Sequence, residues 1–149
     1  MVVVWTVLFS AGLVVGTVLI HYEVLRGTSR LVTTVPVAAR SRILLVLAGI
    51  FIAHLIEVCL YALAYSLMSD HLGLGSFKGA TAGTFADFFY FSITCYTTLG
   101  LGDIFPTGPM RIIAGIEALN GFVLIGWSTS FTYLAMERFW REAKQPRSS

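Results

Sequence analysis

The sequence predicts an all-α membrane protein: three transmembrane helices, plus one segment that enters the membrane without crossing it. Three observations carry this. Of the 149 residues, 56% are hydrophobic and only 12% charged, with a mean hydropathy of +0.81; an ordinary soluble chain carries about 25% charged residues. Three apolar stretches are long enough to span a bilayer, which takes about 20 residues. A fourth, Thr84 to Thr97, is as apolar but too short. The net charge of +2 is small, and no basic run with interleaved aromatics points to nucleic acid. The lipid bilayer is the expected environment. Cys59 and Cys95 lie in apolar segments, fit neither a disulfide framework nor a metal-binding spacing, and read as small buried hydrophobes.

Taken in order, residues 1–22 form the first transmembrane helix. Val2 to Ile20 carries no charge, no positive residue precedes it, and no small-x-small cleavage site follows, so it does not read as a removable leader. The helix is expected to end at an interfacial cluster of His21, Tyr22, Glu23 and Arg26. Residues 23–42 then read as a basic loop with Arg26, Arg30, Arg40 and Arg42, broken by Pro36. The positive-inside rule places this loop in the cytoplasm and the N-terminus outside. Ile43 to Leu67 is the second span, with His54 and Glu57 its only ionisable residues. Asp70 to Gly83 is a glycine-rich outer loop.

Thr84, with Asp87 three residues on, makes an N-capping signature. A short helix should start there and stop at Thr97-Thr98. Non-helical backbone at membrane depth is tolerated only where it is buried in protein or lines a watery cavity. Pro109 then opens a long helix from Met110 to about Trp140, roughly 45 Å at 1.5 Å per residue. It runs out into the basic tail of residues 141–149. Both positive clusters fall on one side if there are three spans and one re-entrant segment, which leaves the C-terminus cytoplasmic.

The stretch Thr98-Leu99-Gly100-Leu101-Gly102-Asp103 follows the short helix. Glycines at alternate positions let the backbone enter positive φ without steric cost, so successive carbonyls can point one way. Four copies around an axis would stack rings of oxygen, which is the chemistry of a cation filter. The chain has one such segment, so a fourfold ring needs four chains. The bland alternative is a tight turn between two helices.

Helix, outer loop, short helix, T-T-x-G-x-G-D and helix together resemble the pore domain of tetrameric potassium channels, over roughly Ile43 to Trp140. The family signature T-V-G-Y-G-D reads here Thr98-Leu99-Gly100-Leu101-Gly102-Asp103. Tyr90, Phe91 and Ser92 stand where the family often has two aromatics and a serine. Arg111 and Gly121 are similar to the basic residue and hinge glycine of many inner helices. Leu99 replaces valine and Leu101 replaces tyrosine, so the hydrogen bond that tyrosine would make to its surroundings is absent. Thr94 stands where some members carry an acid behind the filter.

The resemblance implies a homotetramer around a central pore, multi-pass in a cell membrane, for bacterial members the inner membrane. It implies that K+ is held by the backbone carbonyls of Thr98, Leu99, Gly100 and Leu101, that Gly102 completes the filter, and that Asp103 sits at the outer mouth. No cofactor is implied; K+ is the permeant ion. On the long helix, Ala118, Phe122, Ile125 and Thr129 share a face by their spacing and are expected to line the inner cavity, unless they are ordinary packing. Gly121 and Gly126 are candidates for a hinge or for close helix approach. His54 and Glu57 share a face of the second span, where ionisable groups are costly. Glu117 and Asn120 lie away from the cavity face and are expected to contact the outer helix or the back of the filter.

The function expected is a potassium channel, with a weakly selective monovalent cation channel as the alternative. Readings from other classes are an intramembrane metal enzyme using His54 and Glu57, which would need a third ligand and an activated water, and a non-conducting accessory subunit. An enzyme is not the expectation.

Overall fold

A computed structural model describes residues 2–36, 38–81 and 83–144. Its frame is three long helices: α1 (Val2–Thr34), α2 (Ala39–Ser66) and α4 (Met110–Lys144). Each has a stretch long and apolar enough to cross a membrane. The short helix α3 (Phe85–Tyr96) packs against α2 and α4. Two short strands, β1 (Phe77–Gly79) and β2 (Ile104–Pro106), pair antiparallel.

Helix α1 corrects one expectation. The loop expected over 23–42 is helix as far as Thr34, and the connection shrinks to residues 35–38. Nothing before Pro36 breaks the helix, and packing sustains it. Leu25 and Val32 join Val46 and Ile50 of α2 and Phe139 of α4 in one buried cluster. At 33 residues the helix is about 50 Å long, longer than the roughly 30 Å hydrocarbon core. Its basic end therefore projects beyond the lipid while staying helical.

The buried stripe of α1 is Thr6, Ser10, Leu13, Thr17, His21, Leu25, Thr28 and Val32, at three- to four-residue spacing. Its upper half is small and polar. Thr6, Ser10 and Thr17 each return a hydroxyl bond to the carbonyl four residues back, so they reach the interface with no unmet donor. Lipid is as apolar as leucine, so helices in a membrane associate through small and polar faces rather than greasy ones. Trp5, Phe51 and Leu119 accordingly point outward.

Helix α2 ends in a π-helical turn, Leu67–His71. The outer loop beyond it is not featureless: β1 pairs with β2 in the register Phe77 to Pro106, Lys78 to Phe105 and Gly79 to Ile104. Thr107 N–H donates to the Ser76 carbonyl at 2.8 Å, and Ala80 N–H to the Asp103 carbonyl at 2.9 Å. The ribbon thus ties the outer loop to the chain just after Gly102. Helix α4 continues past the expected end near Trp140 to Lys144. Residues 145–149 of the expected tail, including Arg147, lie outside the described residues.

Candidate functional site: the filter stretch and the polar shell behind it

Helix α3 starts as its sequence demands. Thr84 is the N-cap of a capping box closed by Asp87; Thr84 N–H donates to Asp87 Oδ2 at 2.9 Å. The helix ends at Tyr96, and Thr97 caps it outside helical geometry. From there the backbone alternates, with φ +58° at Thr98, +53° at Gly100 and +80° at Gly102. Thr98 is the one residue other than glycine with positive φ among those described. That conformation costs about 1–2 kcal/mol for a residue with a Cβ. The first turn of the stretch is held by Thr98 N–H donating to Cys95 O at 2.9 Å and Gly100 N–H to Thr94 O at 3.0 Å. The carbonyl end of α3, the negative pole of its dipole, therefore abuts the stretch.

Leu99 and Leu101 are exposed on the single chain. At the far end of the stretch, Tyr90 donates its hydroxyl to Asp103 Oδ2 at 2.8 Å, and Asp103 Oδ1 accepts from Ile104 N–H at 3.1 Å. Asp103, accepting that bond, holds the Tyr90 phenol above its usual range.

Behind α3 lie three groups of buried polar side chains, around Glu57, Glu117 and Asn120. Glu57 is fully buried. Its Oε1 lies 2.8 Å from His21 Nδ1 and its Oε2 3.1 Å from His54 Nδ1. Tyr96 donates its hydroxyl to the same Oε2 and lies 2.9 Å from His54 Nδ1. Ser128 Oγ sits between the far nitrogens, 3.2 Å from His21 Nε2 and 3.0 Å from His54 Nε2. Among the described residues, His21, His54 and Glu57 form a group whose ligand atoms all lie within 4.8 Å.

His21 was expected at the interface. It is instead fully buried mid-helix, because its inward position on the α1 stripe sends it to Glu57. Its neighbours Tyr22, Glu23 and Arg26 face outward.

Glu117 and Asn120 reach the elements expected of them and one more. Glu117 Oε1 lies 2.5 Å from Ser92 Oγ on α3, and Tyr65 of α2 donates its hydroxyl to Oε2. Asn120 donates to Thr17 of α1 at 2.8 Å and to Tyr61 of α2 at 3.2 Å. Thr94 itself bonds back to Phe91 O, so the acids behind this stretch come from α2 and α4 rather than from α3. Cys95 donates its thiol to Ala114 O.

Gly121 lies where a Cβ would collide with the Tyr96 carbonyl, whereas Gly126 has open space around it. Close approach accounts for the first glycine only. Ala118 is half-buried, and Phe122, Ile125 and Thr129 are exposed on one face of α4. Sequence reasoning missed His21, Tyr61, Tyr65, Tyr96, Ser128 and Thr17. The signal for Thr17 and His21 was the polar stripe of α1; the others are single side chains without a pattern.

A short helix capped at its start and running into an alternating-φ stretch, on a frame of three helices long and apolar enough to cross a membrane, matches the plan of a membrane channel. The chain belongs to the ion channel family, whose model matches residues 43–138; helix α1 lies outside the match. Over 86 residues the chain is 31% identical to the inward rectifier potassium channel Kirbac3.1 of Paramagnetospirillum magnetotacticum. That alignment takes in 57% of this chain and 28% of the relative. No solved structure matches significantly. The chain is thus a multi-pass membrane protein of a channel family, not an enzyme.

Proposed function

We propose that the chain is the pore-forming subunit of a homotetrameric potassium channel, conducting K+ passively along the backbone carbonyls of Thr98, Leu99, Gly100 and Leu101. The observation that carries this is the alternation of positive φ at Thr98, Gly100 and Gly102, directly after the carbonyl end of α3. The relative's name supports K+ as the ion. Phe122, Ile125 and Thr129 are exposed on the single chain, which suits a face turned to a shared cavity. The N-terminus is outside and the C-terminus cytoplasmic on this reading. In its support, the basic ends of α2 and α4 lie together, with the Arg42 guanidinium 5.8 Å from the Phe139 ring centre.

A second reading is a weakly selective monovalent cation channel. The exposure of Leu99 and Leu101 favours it, since neither side chain can donate a bond that would stiffen the filter.

Flux from proteoliposomes decides between them. K+ efflux well above Na+ efflux is expected, and equal fluxes leave the second reading. Gly100→Ala puts a Cβ on a residue at φ +53°, a strain of about 1–2 kcal/mol per subunit. It should abolish flux on either reading, and unchanged flux would remove the filter assignment.

A further inference from the structure

The group His21, His54, Glu57, Tyr96 and Ser128 has a proton count that does not close without an added positive charge. A carboxylate only accepts hydrogen bonds. With Glu57 ionised, the His21 Nδ1 at 2.8 Å and the His54 Nδ1 at 3.1 Å must both carry hydrogen. The single Tyr96 proton is already directed at Glu57 Oε2. In neutral rings both Nε2 atoms are then bare acceptors, and both face Ser128 Oγ, at 3.2 and 3.0 Å. A serine hydroxyl has one hydrogen and can satisfy one of them. The other would meet an oxygen lone pair.

A metal ion resolves the count. With both Nδ1 atoms bound to a cation, both Nε2 atoms carry hydrogen. Ser128 Oγ has two lone pairs and accepts from both. Metal-ligating histidines ordinarily donate their far N–H in this way, which fixes tautomer and ring orientation.

We propose that His21 Nδ1, His54 Nδ1 and the Glu57 carboxylate form a binding site for a divalent transition metal of the Zn2+ class, with Tyr96 as a fourth oxygen donor and Ser128 orienting both imidazoles. Two imidazoles and a carboxylate suit Zn2+, Co2+, Ni2+ or Cu2+ and not an all-oxygen cation. Bonds of about 2.0–2.1 Å put tetrahedral donors roughly 3.3–3.4 Å apart. The observed 2.8 and 3.1 Å nitrogen–oxygen separations, each to a different oxygen of Glu57, need to open by about half an ångström or less, and the three ligand atoms already lie within 4.8 Å of one another. His54 keeps 20% of its side chain exposed, so one edge of the group is open. His21 comes from α1, outside the family match, so the site needs the helix that the match leaves out.

The test uses the full-length protein, stripped with chelator and titrated with Co2+. A visible ligand-field band saturating at one Co2+ per chain is expected, displaced by Zn2+. His21→Gln and His54→Gln should lose it. Ser128→Ala keeps all the ligands and should weaken Co2+ binding roughly 10–100-fold. His71→Gln, on the exposed π-helical turn, should change nothing. Should the ligand variants fail to fold, Cu2+ electron paramagnetic resonance on the His71→Gln protein reads the same site without them, with hyperfine coupling from two imidazole nitrogens expected. No band, a band surviving His21→Gln, or fewer than two coupled nitrogens would overturn the proposal and leave a proton as the charge that completes the group. None of these readouts depends on conduction.

Discussion

Replacing Gly121 by alanine is the sharpest probe of how the long helix supports the end of α3 and the proposed filter stretch. A Cβ there would run into the Tyr96 carbonyl oxygen and lie 2.9 Å from both the Tyr96 carbonyl carbon and its ring Cγ. Carbon atoms pack at about 3.5–4.0 Å, so the two carbon contacts alone push α4 back by roughly 0.6–1 Å, and the nearer carbonyl oxygen asks for about 1 Å or more. Overpacking of that size costs about 1–3 kcal/mol. Tyr96 cannot simply follow the motion, because its hydroxyl is bound to Glu57 and His54 on the other side. Straining a hydrogen bond to a charged group adds up to about 1.5–3 kcal/mol. Better helix propensity returns about 0.8–1.0 kcal/mol. The net expectation is a loss of about 1.5–5 kcal/mol, together with loss of flux, since Tyr96 leads directly into Thr97 and Thr98. Gly126→Ala is the internal control: nothing lies within 4 Å of its added Cβ, so the propensity gain stands alone and stability should hold or rise. Chemical denaturation in detergent and proteoliposome flux measure both. If Gly121→Ala matches wild type, or if Gly126→Ala does the same damage, the close-packing argument fails.

Two further outcomes follow from the buried acid Glu117 and from the Tyr90–Asp103 contact. Glu117→Ala strands the fully buried Tyr65 hydroxyl, while Ser92 keeps the Val58 carbonyl at 3.0 Å; the loss should be roughly 2–5 kcal/mol. Adding Tyr65→Phe should recover part of it, and strict additivity in that double-mutant cycle would refute the contact. The Tyr90 phenol is held above its ordinary value of about 10 by Asp103. Its contribution is therefore fully present below that ordinary value and is lost as pH rises through the raised one. Thermal unfolding across the alkaline range should fall more steeply for wild type than for Tyr90→Phe, and parallel curves would refute it.

The sequence carried the fold where the physics is local. Thr84 and Asp87 announced the start of α3 because a capping box is satisfied within four residues. Gly100 and Gly102 announced positive φ because little else tolerates it, and Pro109 announced α4. Three things were not legible for one reason: they depend on partners distant in the chain. Helix α1 ran on through a polar, basic segment because Leu25 and Val32 had α2 and α4 to pack on. The outer loop became a ribbon because Phe77 to Gly79 met Ile104 to Pro106, and a three-residue strand has no periodicity to read. His21 looked interfacial beside Tyr22, Glu23 and Arg26, yet a residue's facing is set by its place on the stripe and not by its neighbours in sequence. His54 and Glu57 were legible as a pair because they share one helix, but Tyr96 and Ser128 complete the group from α3 and α4.

The polar shell also explains why α1 stays with the family-matched segment 43–138. A helix laid against the outside of a channel gains little from apolar contact in lipid, where leucine is as well solvated away from the protein as against it. Helix α1 is instead joined by groups that would be costly to leave unpaired in hydrocarbon. His21 reaches Glu57, Thr17 receives Asn120, and Thr28 fills the space left by Gly49, where a Cβ would collide with its hydroxyl. Two of these three contacts end on ionisable or amide side chains within the family-matched segment 43–138. Without α1, Glu57 would keep His54 and Tyr96 but lose its bond to His21, and Asn120 would keep only Tyr61. The matched segment therefore carries, in its own interior, acceptors and donors made for a helix outside it. Helix α1 is thereby joined to the polar interior of the matched segment rather than laid against its apolar surface.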